Sequence, residues 1–317
     1  MTTTQSPLPM ILDEIEVVGV DRLSPSFVRV EFGGPCLEHF GVDDQPLYDQ
    51  RIKLVFPGVP GGPPPSFAGM DESWWDTWLA RPEEERGHMR TYTVRDIVGT
   101  GPEARLVVDI VLHADDHGEP GPGCAWATSA AVGDRVVVLG PRRGEQYGGI
   151  EFVPGTAGRL LLVGDETAVP AVCAILSQLS WDAVGAAFLE VPTAADVLTV
   201  QHPEGVRVVW LPRDGAAHGD LLHRAVLDHL GAATDAAPAV DEVDPDLWET
   251  PTYSSSGEDV DTATAVGGSD LDDLYAWIAG ESGVVTGLRR ALVKDLGVDR
   301  RQVAFMGYWR RGVAMRS

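Results

Sequence analysis

The sequence predicts a two-domain protein: an antiparallel β-barrel over residues 1–155, then a parallel-sheet α/β domain over residues 156–317. Three observations carry this. Up to about residue 155 the apolar residues come in short β-branched runs separated by Gly, Ser and Pro. After Gly158 apolar strands alternate with helical patterns, the sign of a parallel sheet. With 317 residues and 44% hydrophobic content, the chain can bury two modest cores.

The runs EIEVVGVDRL, SFVRVEF and RIKLVFP read as the first strands, and Pro57–Phe67 is too rich in Pro and Gly for either regular element. Trp74, Trp75 and Trp78 fit one helical turn, where packing is a commoner use for such rings than a substrate platform. RTYTVR, RLVVDIVLH and GDRVVVLGPR complete the barrel. Beyond it, LLLVGDETAVPAVCAIL (Leu160–Leu176) is a strand, a tight turn and a helix; AAFLEV, VRVVWLP and a helical LLHRAVLDHL follow. The acidic, Ser- and Gly-rich stretch 232–268 cannot bury a core and is expected to be a mobile insert, pinned at Trp248 and Tyr253. LYAWIAGESGVVTGLRRALVKDL repeats the strand–turn–helix unit, and RQVAFMGYW is the last strand.

A formal net charge of −24 and a pI near 4.5 argue against nucleic-acid partners and anionic membrane surfaces. No segment approaches the apolar length of a transmembrane helix, and MTTTQSPLPM lacks the basic and apolar regions of a signal peptide. The expectation is a cytoplasmic monomer. Cys36, Cys124 and Cys173 have no metal-like spacing, nor do the histidines, so no protein metal site is expected.

The most informative stretch is Arg90-Thr91-Tyr92-Thr93-Val94-Arg95, followed at Asp109–His113 by DIVLH. Alternation along a strand sends Arg90 and Tyr92 one way, Thr91 and Thr93 the other. Such a strand suits a flavin dinucleotide: an arginine for pyrophosphate, a ring to pack on isoalloxazine, a hydroxyl for its polar edge. Gly121–Ala130 (GPGCAWATSA) is a turn opening into a small-residue helix, whose free amides can hold phosphate. GYWRRG (Gly307–Gly312) adds aromatics and paired arginines near the C-terminus.

Together these motifs resemble the siderophore-interacting proteins, ferric-siderophore reductases of the ferredoxin reductase superfamily, over about Glu16 to Gly312. The resemblance implies FAD as cofactor, held by Arg90, Thr91, Tyr92, Thr93, Asp109, Ile110, Val111, His113, Ala125, Trp126, Ala127, Thr167 and Trp309. It also implies that the turns GDETA and AGES face the electron donor, through Asp165, Glu166, Gly280, Glu281 and Ser282. Two plainer readings stay open: Asp165 and Glu166 as helix caps, and Trp126 as packing. An anionic ferric siderophore is expected to meet a basic pocket of Lys53, Arg142, Arg143 and Arg310. Electrons come from NADPH, NADH or ferredoxin; Arg213 is the one cation in the region where a 2′-phosphate is expected. No catalytic side chain is required, because the flavin carries the chemistry. The alternatives are a non-catalytic siderophore-binding flavoprotein and a general flavin- or ferredoxin-linked reductase.

Overall fold

A computed structural model describes residues 8–43, 45–113, 119–232, 248–250, 253–254 and 271–312. They divide into two compact units, one running to Ile150 and one starting at Glu151.

The first unit contains β1 (Met10–Arg22), β2 (Phe27–Gly33), β3 (Arg51–Phe56), β4 (His88–Thr93), β5 (Asp96–Val98), β6 (Arg105–Val111) and β7 (Arg135–Pro141). They form one antiparallel sheet in the order β4-β3-β7-β1-β2-β6-β5. β4 and β5 lie on opposite edges of that order, yet only Val94 and Arg95 separate them in sequence. Two residues cannot bridge a flat seven-stranded sheet, so it must curl until its edges meet. At that seam Val94 N donates to Gln50 O and Arg95 N to Val107 O, both at 2.9 Å. Inward residues such as Ile15, Val30, Phe32, Leu54, Val108 and Val138 fill the interior.

Among the described residues the α-helices on the barrel are α1 (Trp74–Leu79), α2 (Glu83–Arg86) and α3 (Pro122–Ser129). Trp74 and Trp78 are buried against Val55, Phe67, Met89 and Val137, and Trp78 Nε1 donates to Arg86 O at 2.9 Å. Two of the three tryptophans thus serve packing, as the sequence suggested, while Trp75 is 42% exposed.

The second unit has five parallel strands, β8 (Arg159–Gly164), β9 (Gly185–Val191), β10 (Val206–Pro212), β13 (Leu274–Glu281) and β14 (Val303–Trp309). Two further short strands, β11 (Trp248–Thr250) and β12 (Tyr253–Ser254), complete the order β10-β9-β8-β13-β14-β11-β12. The helices are α4 (Val169–Gln178), α5 (Asp220–His229) and α6 (Ser282–Arg289), the last continued by a π-helical turn over Arg290–Asp295. The chain leaves β8 outward to β9 and β10, then returns to β13 on the other side of β8. The boundary between β8 and β13 is therefore a topological switch point, where open α/β sheets bind ligands at the strands' carboxyl ends.

The insert is held at the two points expected to pin it, Trp248 in β11 and Tyr253 in β12. β11 pairs antiparallel with β14 through Trp248↔Met306 and Glu249↔Phe305, and Trp248 stacks on Tyr308 at 6.0 Å. This part of 232–268 is an ordered sheet edge rather than a loop, because β14 would otherwise present unpaired backbone groups. Residues 233–247, 251–252 and 255–268 lie outside the described residues. Among the described residues no helix is long and apolar enough to cross a membrane.

Candidate functional site

In the first unit, β4 brings the predicted flavin residues to the start of α3. Tyr92 packs edge-on to Phe56 at 5.9 Å against the barrel interior. Arg90, on the same side, donates through Nη1 to its neighbour Met89 O at 2.8 Å. Thr91 is exposed and accepts from Lys53 Nζ at 3.0 Å, and Thr93 is buried.

α3 opens with Gly121 and Pro122, so its N-cap residue carries no side chain to engage the first-turn amides. A Cβ on Gly123 would lie 2.1 Å from Tyr92 Oη, so only glycine lets the helix descend onto that ring. Cys124 Sγ donates to Val111 O at 3.2 Å, and His113 also hydrogen-bonds this thiol. Burial raises the Cys124 thiol, but the bond to His113, its charge and that of Arg90 outweigh burial and lower it. Burial likewise holds the Tyr92 phenol well above its ordinary value; Cys124 adds to this and Arg90 opposes it. Arg90, Tyr92, His113 and the α3 first turn, far apart in sequence, thus share one electrostatic environment.

Other expected cofactor residues are placed differently. The buried Asp109 carboxylate is gripped by Arg29 at 2.7 and 2.8 Å, with Arg95 at 3.7 Å, and Ile110 lies in the barrel core. Trp126 stacks on Phe32 at 6.2 Å and tilts against Phe56 at 5.0 Å, which is the packing reading. Ala127 is buried and Ala125 exposed.

The expected basic pocket is also redistributed. Lys53 sits inside β3 opposite Leu139 and Thr91, and burial followed by Arg51 lowers its ammonium pKa. Arg142 Nε donates to Leu8 O at 3.0 Å and Arg143 Nη2 to Phe40 O at 3.1 Å, so both guanidiniums tie backbone together. Arg310 follows β14 in the second unit and is half-buried.

At the switch point of the second unit the two predicted turns interlock. Asp165, after β8, accepts from Thr167 N and Oγ1 at 2.9 and 2.5 Å. Its Oδ2 accepts from Glu281 N at 2.8 Å and Trp309 Nε1 at 2.9 Å. Gly280 permits this: with φ +145°, a Cβ there would meet the Asp165 carboxylate at 2.7 Å. Glu281 caps α6 through Gly283 N and Val284 N at 2.7 and 3.1 Å, and Ser282 Oγ donates to Trp309 O at 2.9 Å. The capping reading holds for Asp165, whose Oδ1 accepts from Thr167 N while its carbonyl accepts from Val169 N at 3.0 Å at the entry to α4; Glu166 is engaged elsewhere.

Glu166 instead forms a bidentate pair with Arg213, at 2.7 and 2.8 Å, and Arg213 also reaches the fully buried Glu190 at 3.2 Å. Glu190 in turn caps α5 through Gly219 N at 2.8 Å and Leu222 N at 3.2 Å. His218 Nε2 lies 3.3 Å from Asp165 and 3.7 Å from Glu166, with its ring edge-on to Trp309 at 5.3 Å. Burial pulls this imidazole down, but the two carboxylates outweigh it and push its pKa up to about 10. The ligand atoms of Asp165, Glu166 and His218 fall within 4.8 Å of one another. With no ion in this site, the charged imidazole is held between the two carboxylates. Sequence reading missed His218 and Glu190; a lone histidine in AAHGD and one acid in an apolar strand carry no local signal.

Comparison with known proteins follows the same division. A model described as a siderophore-interacting FAD-binding domain matches residues 16–145, and one described as siderophore-interacting protein matches 157–312. A siderophore utilization protein from T. fusca has a crystal structure similar to this chain, with a TM-score of 0.66 and 30% identity, covering 99% of this chain and 98% of the other. Ferric vibriobactin reductase from Vibrio cholerae is 27% identical over 306 residues, 96% of this chain and 90% of that protein. The NADPH-dependent ferric-chelate reductase of Escherichia coli is 26% identical over 300 residues, 93% and 92% of the two chains. Both halves match in order and along nearly their whole length, so the chain belongs to the siderophore-interacting protein family.

Proposed function

We propose that this protein is an FAD-dependent ferric-siderophore reductase of the cytoplasm, reducing chelated Fe(III) to Fe(II) with electrons from NAD(P)H or ferredoxin. The observation that carries it is the meeting of Arg90 and Tyr92 with the glycine-opened first turn of α3, in a family whose full-length relatives are named ferric reductases. That geometry fits FAD: a helix start whose N-cap is glycine and a nearby guanidinium suit pyrophosphate, and the tyrosine supplies an aromatic face. When bound, FAD supplies acceptance of an electron pair and its release to iron one electron at a time.

The chain's own residues bind and orient. Arg90 and the α3 amides neutralise the diphosphate, while Gly123 keeps the helix close to Tyr92. The Lys53 ammonium, beside Thr91 on the neighbouring strand, attracts an anionic ferric complex. In the second unit, Asp165 and His218 fix Trp309 and the β13–α6 turn, where the donor is received. Hard siderophore oxygens hold Fe(III) far more strongly than Fe(II), so reduction frees the metal and spares the chelator.

The test is anaerobic: purified yellow protein is mixed with NADH or NADPH, then with a ferric siderophore and a colorimetric Fe(II) chelator. Bleaching followed by Fe(II) colour is the expected result. Bleaching without Fe(II) points to a general flavin reductase, and siderophore binding without bleaching by any donor points to a carrier.

A further inference from the structure

The second unit also bears on which nucleotide donates the electrons, a question that rests on the reductase reading above. Where parallel sheets bind dinucleotides, an arginine receives the 2′-phosphate of NADP and a carboxylate the bare ribose hydroxyl of NAD. Arg213 immediately follows β10, at the carboxyl edge of the sheet. Its fork is already filled. Both terminal nitrogens engage Glu166 at 2.7 and 2.8 Å, one also approaches Glu190 at 3.2 Å, and the side chain is only 13% exposed.

The surroundings reinforce this. The carboxylates of Asp165, Glu166, Glu190 and Glu281 outnumber the cations Arg213 and His218, so the cluster is net negative. The amides at the starts of α5 and α6 that an added phosphate would seek donate to Glu190 and Glu281 instead. A 2′-phosphate arriving here meets an engaged guanidinium and net negative charge; a hydroxyl meets neither penalty.

We propose that Glu166 is a specificity-determining residue: by holding Arg213 in a bidentate ion pair, it makes this site select NADH over NADPH. Nothing in this requires Glu166 to touch the reacting atoms; it acts through Arg213.

Two readouts test it on the full-length protein. Calorimetric titration compares 5′-AMP with 2′-phospho-AMP, and stopped-flow flavin bleaching compares NADH with NADPH. Wild-type protein should bind 2′-phospho-AMP no more tightly than AMP and be bleached by NADH at least about tenfold more efficiently, a difference of about 1.4 kcal/mol. Glu166→Gln should move the ratio about tenfold toward NADPH, mainly through its KM, and adding Arg213→Gln should abolish that gain. Tighter wild-type binding of 2′-phospho-AMP, or a wild-type preference for NADPH, overturns the proposal, and neither measurement depends on a variant folding. If neither nucleotide binds or bleaches while dithionite-reduced protein still reduces ferric siderophore, the donor-site reading falls instead, and this proposal with it.

Discussion

One missing methylene governs how closely α3 approaches Tyr92. Gly123→Ala places a Cβ 2.1 Å from Tyr92 Oη, so either the helix or the ring must move. The expected outcome is at least tenfold weaker FAD binding in a flavin-fluorescence titration. Tyr92→Phe in the same background should restore much of it, because the nearest remaining atoms, Phe56 Cε2 and the Tyr92 ring carbon, stand at 3.3 and 3.4 Å. Equal binding by Gly123→Ala and wild type would mean the helix yields freely. His218 supports a second residue-scale prediction. Its folded pKa, about 10, lies above the ordinary value of 6.5, so its contribution to stability is complete below about 6.5 and drains away as pH rises toward 10. Asp165 and Glu166 are shifted down, with burial opposing and His218, Arg213 and hydrogen bonds prevailing, so their contribution is lost only in acid. Melting temperature should therefore fall from pH 7 to pH 10, and His218→Gln should be less stable at pH 7 with a flatter alkaline slope. An unchanged slope would show that the imidazole is not charged in the folded protein.

At the level of elements, β11 alters what the acidic insert is for. The segment adds backbone pairing to β14, the strand that carries Trp309 into the Asp165 cluster. Trp248→Ala removes a ring stacked on Tyr308, a contact worth about 0.5–1.5 kcal/mol beyond burial, and should lower the melting temperature by a few degrees. Replacing all of 232–268 by a Gly/Ser linker should cost more than replacing 255–268 alone, since only the first deletes β11. Equal melts for the two would show that the edge pairing contributes nothing. Sequence pattern could not reveal this strand. Trp248–Thr250 is three residues inside an acidic stretch, and its partner lies some sixty positions away. The long strands were legible because each carries its own apolar period: β6 and β7 bury five and six consecutive residues.

For the whole molecule, a formal charge of −24 makes each cation near the flavin site stand out. Arg142 and Arg143 hold backbone carbonyls, which leaves Lys53 to test as the proposed contact for an anionic ligand. Lys53→Ala should raise the apparent KM for an anionic ferric siderophore severalfold and leave bleaching by the nucleotide unchanged. The effect should be smaller for a neutral complex and shrink with salt, as exposed charges are screened within about 10 Å at 0.1 M. Wild-type kinetics in this variant would direct attention to Arg310, which follows β14.

The sequence by itself determined the two folds, their order, the flavin-type strand Arg90–Thr93, the glycine-opened helix at Gly121 and the two turns GDETA and AGES. All of these are local: strand alternation, helical period, turn chemistry and a phosphate-ready helix start are written within a few neighbouring residues. Tertiary structure alone decided the partners. It set Asp109 on Arg29, Arg142 on Leu8, Arg213 on Glu166 and His218 on Asp165. Those choices depend on sheet order. β13 comes to lie beside β8 by a crossover return, and strand ends over a hundred residues apart in the chain become neighbours, as Asp165 and Trp309 do. A charged side chain's role is fixed by what lies within about 4 Å of it after folding, and no short-range pattern encodes that distance.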